Sequence, residues 1–261
     1  MTRSTHLTRA LAGGSLATVL LLAGCGSSDD DDTAEAASSG TASSSAAADV
    51  DDFCQAVITM DALPSPESDT PSAEESTAFG EQLAEPVQTI VDAAPDAAAD
   101  AAADLAEIQQ RLTDGDGSVF ADPATFETLN TIEQAVADEC GYTNVAVSAV
   151  DYNFEGVPAT LPAGETNFLM ANMSDHDQEH VMLVARPTDG QAITPVEFMA
   201  DPEGSFGRLE IVGGAFAPPH TQGGITLDLE PGSYLLLCPI SADETSPPHF
   251  VLGMITSLTV A

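Results

Sequence analysis

Two domains of different class are expected from this sequence: a small all-α helical bundle, then an all-β sandwich. Three observations predict them. Apolar residues recur at helical spacing from about residue 50 to 140 and alternate from Val145 onward. After Val145, prolines and glycines fall at the joints of several short segments. The chain's 261 residues suffice for two small domains. Charge limits the partners. The formal net charge is −37, there is no lysine, and all 42 acidic residues come from Asp29 onward. Such a surface repels phosphate backbones and anionic headgroups, which excludes nucleic-acid binding. The carboxylates are dispersed, with no Asp-x-Asp-x-Asp-Gly loop, so they read as a solubilising surface that attracts a partner with a basic face.

The first 24 residues have the form of a leader. Arg3 and Arg9 precede the apolar run Leu16–Leu22, which is too short to span a membrane, and small residues come after it. Leu22-Ala23-Gly24-Cys25 resembles the bacterial lipobox. That resemblance implies cleavage before Cys25, lipidation of its thiol and a lipid-anchored place on the outer face of the cell membrane. Residues 25–49, rich in Ser, Ala and Asp, have no apolar periodicity and are expected to be a disordered tether.

Four helices are expected between 50 and 140. Phe53, Val57 and Met60 share one face of the first, which ends at Pro64 and Pro66. Ser72 and Glu75 have capping-box spacing ahead of Phe79, Leu83, Val87 and Ile90, with Pro86 expected to kink that helix. Leu105, Ile108 and Leu112 form the stripe of the third. After the Asp114-Gly115-Asp116-Gly117 loop, Asp122-Pro123 caps the fourth, with Phe126, Leu129, Val136 and Cys140 along one side. Short connections favour an up-and-down bundle, in which the start of the first helix and the end of the fourth share one end. Cys54 and Cys140 occupy those places, so a disulfide between them is expected in an exported protein. The bundle holds no histidine and no catalytic constellation.

Strands are expected at 145–152, 166–172, 181–185, 225–229, 234–238 and 255–260. With Cys25 lipidated and Cys54 paired to Cys140, Cys238 is left over. It reads as a metal ligand, a reactive thiol, an intermolecular bond, a buried core thiol or an alternative partner for Cys54 or Cys140. Its setting is Leu229-Glu230-Pro231-Gly232-Ser233-Tyr234-Leu235-Leu236-Leu237-Cys238, followed by His249-Phe250-Val251-Leu252-Gly253-Met254.

That pattern resembles the C-terminal half of the cupredoxins, the β-sandwiches of blue-copper proteins, across roughly residues 144–261. The resemblance implies a cupredoxin-like Greek-key sandwich with one copper ion. Cys238, His249 and Met254 stand at three ligand positions, and the His249-to-Met254 spacing is plastocyanin-like. Eleven residues from Cys238 to His249 is longer than in most of the family, though longer inserts occur in copper nitrite reductases, and extra residues can bulge outward. His180, directly before Val181–Val184, matches the first histidine, with His176 and His220 as competitors. Val181 stands where the family often has a polar residue that hydrogen-bonds near the thiolate, which puts that contact in doubt. Two imidazoles, a thiolate and a thioether suit copper. The function implied is one-electron transfer. Copper holding or delivery without redox cycling, or a metal-free interaction module, are the alternatives. An enzyme is not expected, since a second, catalytic copper needs more histidines than remain and no nucleophile–base pair is visible.

Overall fold

The period changes from helix to strand at residues 140–143, and the structure turns there. The computed structural model describes residues 42–66, 70–175, 177–243 and 245–261, with side chains from residue 49 onward. The leader 1–24, Cys25, most of the tether and His176 lie outside the described residues.

Four helices come first: α1 (Ala42–Asp61), α2 (Ala73–Ala93), α3 (Ala99–Thr113) and α4 (Pro123–Glu139). α1 begins at Ala42, inside the stretch 25–49 expected to be tether. Ala42 and Ala46–Ala48 are the strongest helix formers and carry the helix back from Asp49. The expected caps form. Ser72 Oγ accepts from the Glu75 amide at 3.3 Å while Glu75 Oε2 accepts from the Ser72 amide at 2.8 Å. Asp122 caps α4 by accepting from the Ala124 amide, with Pro123 at the first helical position. Pro86 sits within α2, which continues through it.

Phe53, Val57, Leu83, Val87, Ile90, Leu105, Leu112, Ile132 and Val136 are buried together as the helical core. Cys54 and Cys140 form the expected disulfide, their Cα atoms 5.7 Å apart. Arg111 pairs with Asp116 and Asp122 at 2.9 and 3.0 Å, tying the end of α3 to the turn before α4.

Among the described residues the sandwich has nine strands: β1 (Thr143–Val150), β2 (Asn153–Glu155), β3 (Thr160–Leu161), β4 (Gly164–Asn172), β5 (His180–Pro187), β6 (Leu209–Ala217), β7 (Gln222–Leu229), β8 (Gly232–Leu237) and β9 (Ile255–Val260). One sheet has the order β2-β1-β4-β7 and the other β3-β9-β8-β5-β6. β1 runs parallel to β4 and β3 to β9; the other pairs are antiparallel. Alternate residues of the two sheets, among them Val145, Val147, Phe168, Met170, Ile225, Leu227, Tyr234 and Leu236, fill one core between them. Tyr234 Oη donates to the Glu230 carbonyl at 2.9 Å, fastening the Pro231-Gly232 turn to the start of β8.

Both sheets are also covered on their outer faces. Two short helices between β5 and β6, α5 (Pro195–Ala200) and α6 (Pro202–Phe206), bring Phe198 and Phe206 against Phe250, Leu235 and Leu237. β8 is thus buried on both sides, which explains the unbroken Leu235-Leu236-Leu237 run. α4 and α1 lie against β7 and β4 of the other sheet. There the outward-facing Asn167 and Thr226 are fully buried beneath Glu133 and Asp61. The glycines of β7 make that approach possible: a Cβ on Gly224 would lie 2.6 Å from Glu133 Cβ.

Candidate metal centre

β4 ends in an asparagine that organises the loop after it. Asn172 Nδ2 donates to the carbonyls of Gln178 at 2.8 Å and Ala217 at 3.1 Å, and its Oδ1 accepts from the Ser174 amide. The loop is thereby held against the end of β6, and His180 emerges as the first residue of β5, opposite Ala217. Tyr152 Oη donates to Gln178 Oε1, and its ring lies 5.0 Å from that of His249.

β8 delivers Cys238 one residue past its end. The Cys238 amide donates to the Met254 carbonyl at 3.1 Å, and the Cys238 carbonyl accepts from the Phe250 amide at 2.9 Å. The long segment between Cys238 and His249 closes at its base: the His249 amide donates to the Ile240 carbonyl at 2.7 Å, and Ser241 bridges Pro248. At its tip Asp243 accepts from Thr245 Oγ1 and from the amides of Thr245 and Ser246, which holds its carboxyl down to about 2. The extra residues therefore project outward while the two ends meet. A 3-10 turn over His249–Leu252 returns the chain through Gly253, whose φ of +119° favours glycine, to Met254.

His180, Cys238 and His249 converge. Their ligand-type atoms all lie within 4.8 Å of one another, and all three residues are fully buried. Cys238 Sγ is 3.5 Å from His249 Nδ1, and the imidazole rings are 5.0 Å apart. Met254 is fully buried in the same core as Cys238. The hydrogen bond to sulfur left in doubt by Val181 is supplied by the backbone instead: the Val181 amide donates to Cys238 Sγ at 3.4 Å. A main-chain donor needs no particular side chain, so the sequence could not show it.

The electrostatics result from enclosure. Burial, and then the neighbouring His249, hold His180 down to about 4, with Asp151 pulling weakly the other way. Burial also lowers His249. Both imidazoles are therefore neutral at pH 7, the form that ligates. Burial pushes the Cys238 thiol up, opposed by the amides of Val181 and Ile240. Both ring nitrogens of His180 and Nε2 of His249 are buried without a hydrogen-bond partner. A buried polar atom left unpaired costs about 1–3 kcal/mol, and a cation taking the one lone pair of each neutral imidazole removes part of that cost. Two nitrogens and a soft sulfur fit copper. The C-terminal half is a cupredoxin-like domain.

His220 lies outside the cluster of this cupredoxin-like domain: its side chain is 63% exposed and its Nε2 is 3.5 Å from Asp177. Among the described residues, no other group of three or more His, Cys, Asp or Glu side chains is placed to hold a metal ion.

No protein-family model matches the chain, and neither does any curated protein sequence. Solved structures do. Auracyanin B overlaps 46% of this chain and 88% of its own at 21% identity and a TM-score of 0.33. Auracyanin A, a "blue" copper protein from Chloroflexus aurantiacus, overlaps 46% and 100% at 14% identity and 0.30. A copper-containing nitrite reductase from Thermus scotoductus overlaps 46% and 31% at 11% identity and 0.27. Scores this low carry no weight of their own. The cupredoxin-like character of the domain rests on its two sheets and on the three side chains between Asn172 and Met254.

Proposed function

We propose that the protein is a membrane-anchored, extracytoplasmic carrier of single electrons, in which His180, Cys238, His249 and Met254 would hold one copper ion. The observation that carries this is the convergence of three fully buried ligand side chains, three of whose four imidazole nitrogens have no hydrogen-bond partner. Bound copper would supply the Cu(I)/Cu(II) couple. The protein's own part is to keep the ligands fixed and dry. Asn172 clamps the loop before His180, paired β5 and β8 set the distance from His180 to Cys238, and the Ile240–His249 hydrogen bond fixes His249. A frame locked by backbone bonds limits rearrangement when charge changes. The amide of Val181 stabilises negative charge on the sulfur.

Full burial of all three side chains favours carrying electrons over handing copper on, because delivery needs an accessible, labile site. We assign no catalytic role, since beyond the cluster only His176 and the exposed His220 remain outside the leader. The lipobox resemblance supports anchoring through Cys25, the four helices read best as a bundle above the tether, and the acidic surface favours a redox partner with a basic face.

The test is the visible spectrum of the full chain after addition of Cu(II), beside a Cys238→Ala variant. An intense thiolate-to-copper band that the variant lacks is expected. A colourless protein that takes up no copper would leave only a metal-free interaction module. Uptake without reversible one-electron reduction would indicate storage or delivery.

A further inference from the structure

A cavity of about 240 Å³ lies between the helices and the sheet face on which they rest. Its walls are mostly apolar, from Leu83, Ile108, Phe126 and Leu129 among others, and the sheet side contributes Phe216 and Ile225 beside Gly214, Gly223 and Gly224. It is larger than a cavity of about 150 Å³ that takes benzene, so it has room for a ring with a short tail.

Its polar groups share a character. Thr125 is 7% exposed, and its Oγ1 has no hydrogen-bond partner; neither has the buried Oδ1 of Asn130. Glu133, 3% exposed, is hydrogen-bonded to Asp61, and both line the cavity. Two carboxyl groups can bond each other only through a shared proton, so the pair carries one negative charge when the other proton leaves. Glu133 Oε2 accepts from Thr226 Oγ1 and Asn167 Nδ2, each at 2.7 Å, and Asp61 Oδ2 accepts from the Thr226 amide at 2.7 Å. Every donor there is neutral. The chain has no lysine, and Arg111, Arg186 and Arg208 are engaged with carboxylates elsewhere. An acceptor-rich, anionic end on an apolar cavity is complementary to one kind of small molecule.

We propose that this cavity binds a small apolar amine, its ammonium group against the Asp61–Glu133 pair and its hydrocarbon body against Leu83, Phe126 and Leu129. A charged hydrogen bond to a buried carboxylate is roughly twice as strong as a neutral one, so the amine is preferred to an alcohol of the same shape. A carboxylate is repelled. The site is separate from the His180–Cys238–His249 centre and does not depend on copper.

The experiment is calorimetric titration of the full, disulfide-intact chain with 2-phenylethylamine, with 2-phenylethanol, 3-phenylpropionate and ethylamine as comparison ligands. Saturable one-to-one binding of 2-phenylethylamine is expected, about tenfold tighter than 2-phenylethanol, with no binding of 3-phenylpropionate. Ethylamine, which has the charge without the body, reports adhesion to the acidic surface and is expected not to saturate. The double variant Asp61→Asn/Glu133→Gln keeps both side chains' sizes, removes both carboxyl groups and should remove the amine's advantage over the alcohol. Leu129→Phe narrows the cavity without touching the carboxyl pair and should weaken both, even if the double variant fails to fold. Three outcomes overturn the proposal: no saturable amine binding, equal binding of ethylamine, or undiminished binding in Leu129→Phe.

Discussion

Two buried polar clusters lie on different sides of the β4–β7 sheet, and they are unlike. His180, Cys238 and His249 sit at one end of the sandwich with three ring nitrogens unpartnered. Asp61, Glu133, Asn167 and Thr226 sit beneath the helices and bond mainly to one another. What the first lacks is partners for lone pairs; what the second lacks is a counter-charge. Burial is common to both and does not by itself mark function. The unpartnered ring nitrogens do, because folding would not leave three of them in one place unless a ligand used the one lone pair that each neutral ring offers. The bonded cluster fixes how the helices rest on the sheet, and its missing counter-charge is what the proposed amine would supply.

The contrast breaks most severely when the helical half is loosened alone. Replacing Cys54 and Cys140 by serine releases a link across 86 residues. A loop of that size contributes about 4.6 kcal/mol in the chain-entropy picture, so the urea midpoint should fall accordingly. The copper-thiolate band should persist, because every hydrogen bond that frames the centre lies within residues 152–254. Loss of the band in the folded variant would show that the centre depends on the helices.

Glu133→Ala comes next, at about 3 kcal/mol, since it leaves Asn167 Nδ2 and Thr226 Oγ1 buried with a partner missing and Asp61 alone. It too should spare the band. Asn172→Ala should do the converse. Losing two bonds to loop carbonyls costs about 2 kcal/mol of stability, while copper affinity falls about tenfold or more because His180 is no longer held. Chelator competition measures the second effect. Equal copper affinity in Asn172→Ala and wild type would remove the positioning role.

The two clusters also differed in how far the sequence disclosed them. Cys238, His249 and Met254 stood out because rare residue types arrive in order around a strand end, and His180 because a strand begins directly after it. Asp61 and Glu133 did not, being two acids among 42, and only the helix–sheet contact distinguishes them from solvated ones. Asn167 and Thr226 read as outward residues of half-exposed strands until α4 covers them. β6 was missed because Gly213-Gly214 interrupts its alternation. In the structure those glycines clear room for Leu227 and Leu183, whose methyls lie 2.7 and 3.0 Å from where a Cβ would stand. α5 and α6 are too short to show a periodicity, although Thr194 and Glu197 form a capping box. The helix faces were legible because their cores are local in sequence.

The subtlest difference is in pH dependence, where the clusters pull in opposite directions. Burial raises Asp61 and Glu133 in the folded protein, while the unfolded carboxyls titrate near ~4. Below that pH both states are protonated and nothing is lost. As pH rises above it the unfolded chain releases protons that the folded pair retains, so stability falls until the folded values are passed. In metal-free protein, His180 is held down to about 4 against about 6.5 unfolded. There the unfolded chain takes up the proton, so stability rises between those values and is level above them. Surface carboxyls such as Asp243, held to about 2, change stability only below this window. Thermal midpoints of metal-free protein between pH 4 and 8 should therefore gain a steeper rise in Asp61→Asn and lose part of the rise in His180→Gln. If both variants tilt the curve the same way, the two clusters do not oppose each other. The assignment of one to missing charge and the other to missing partners would then fail.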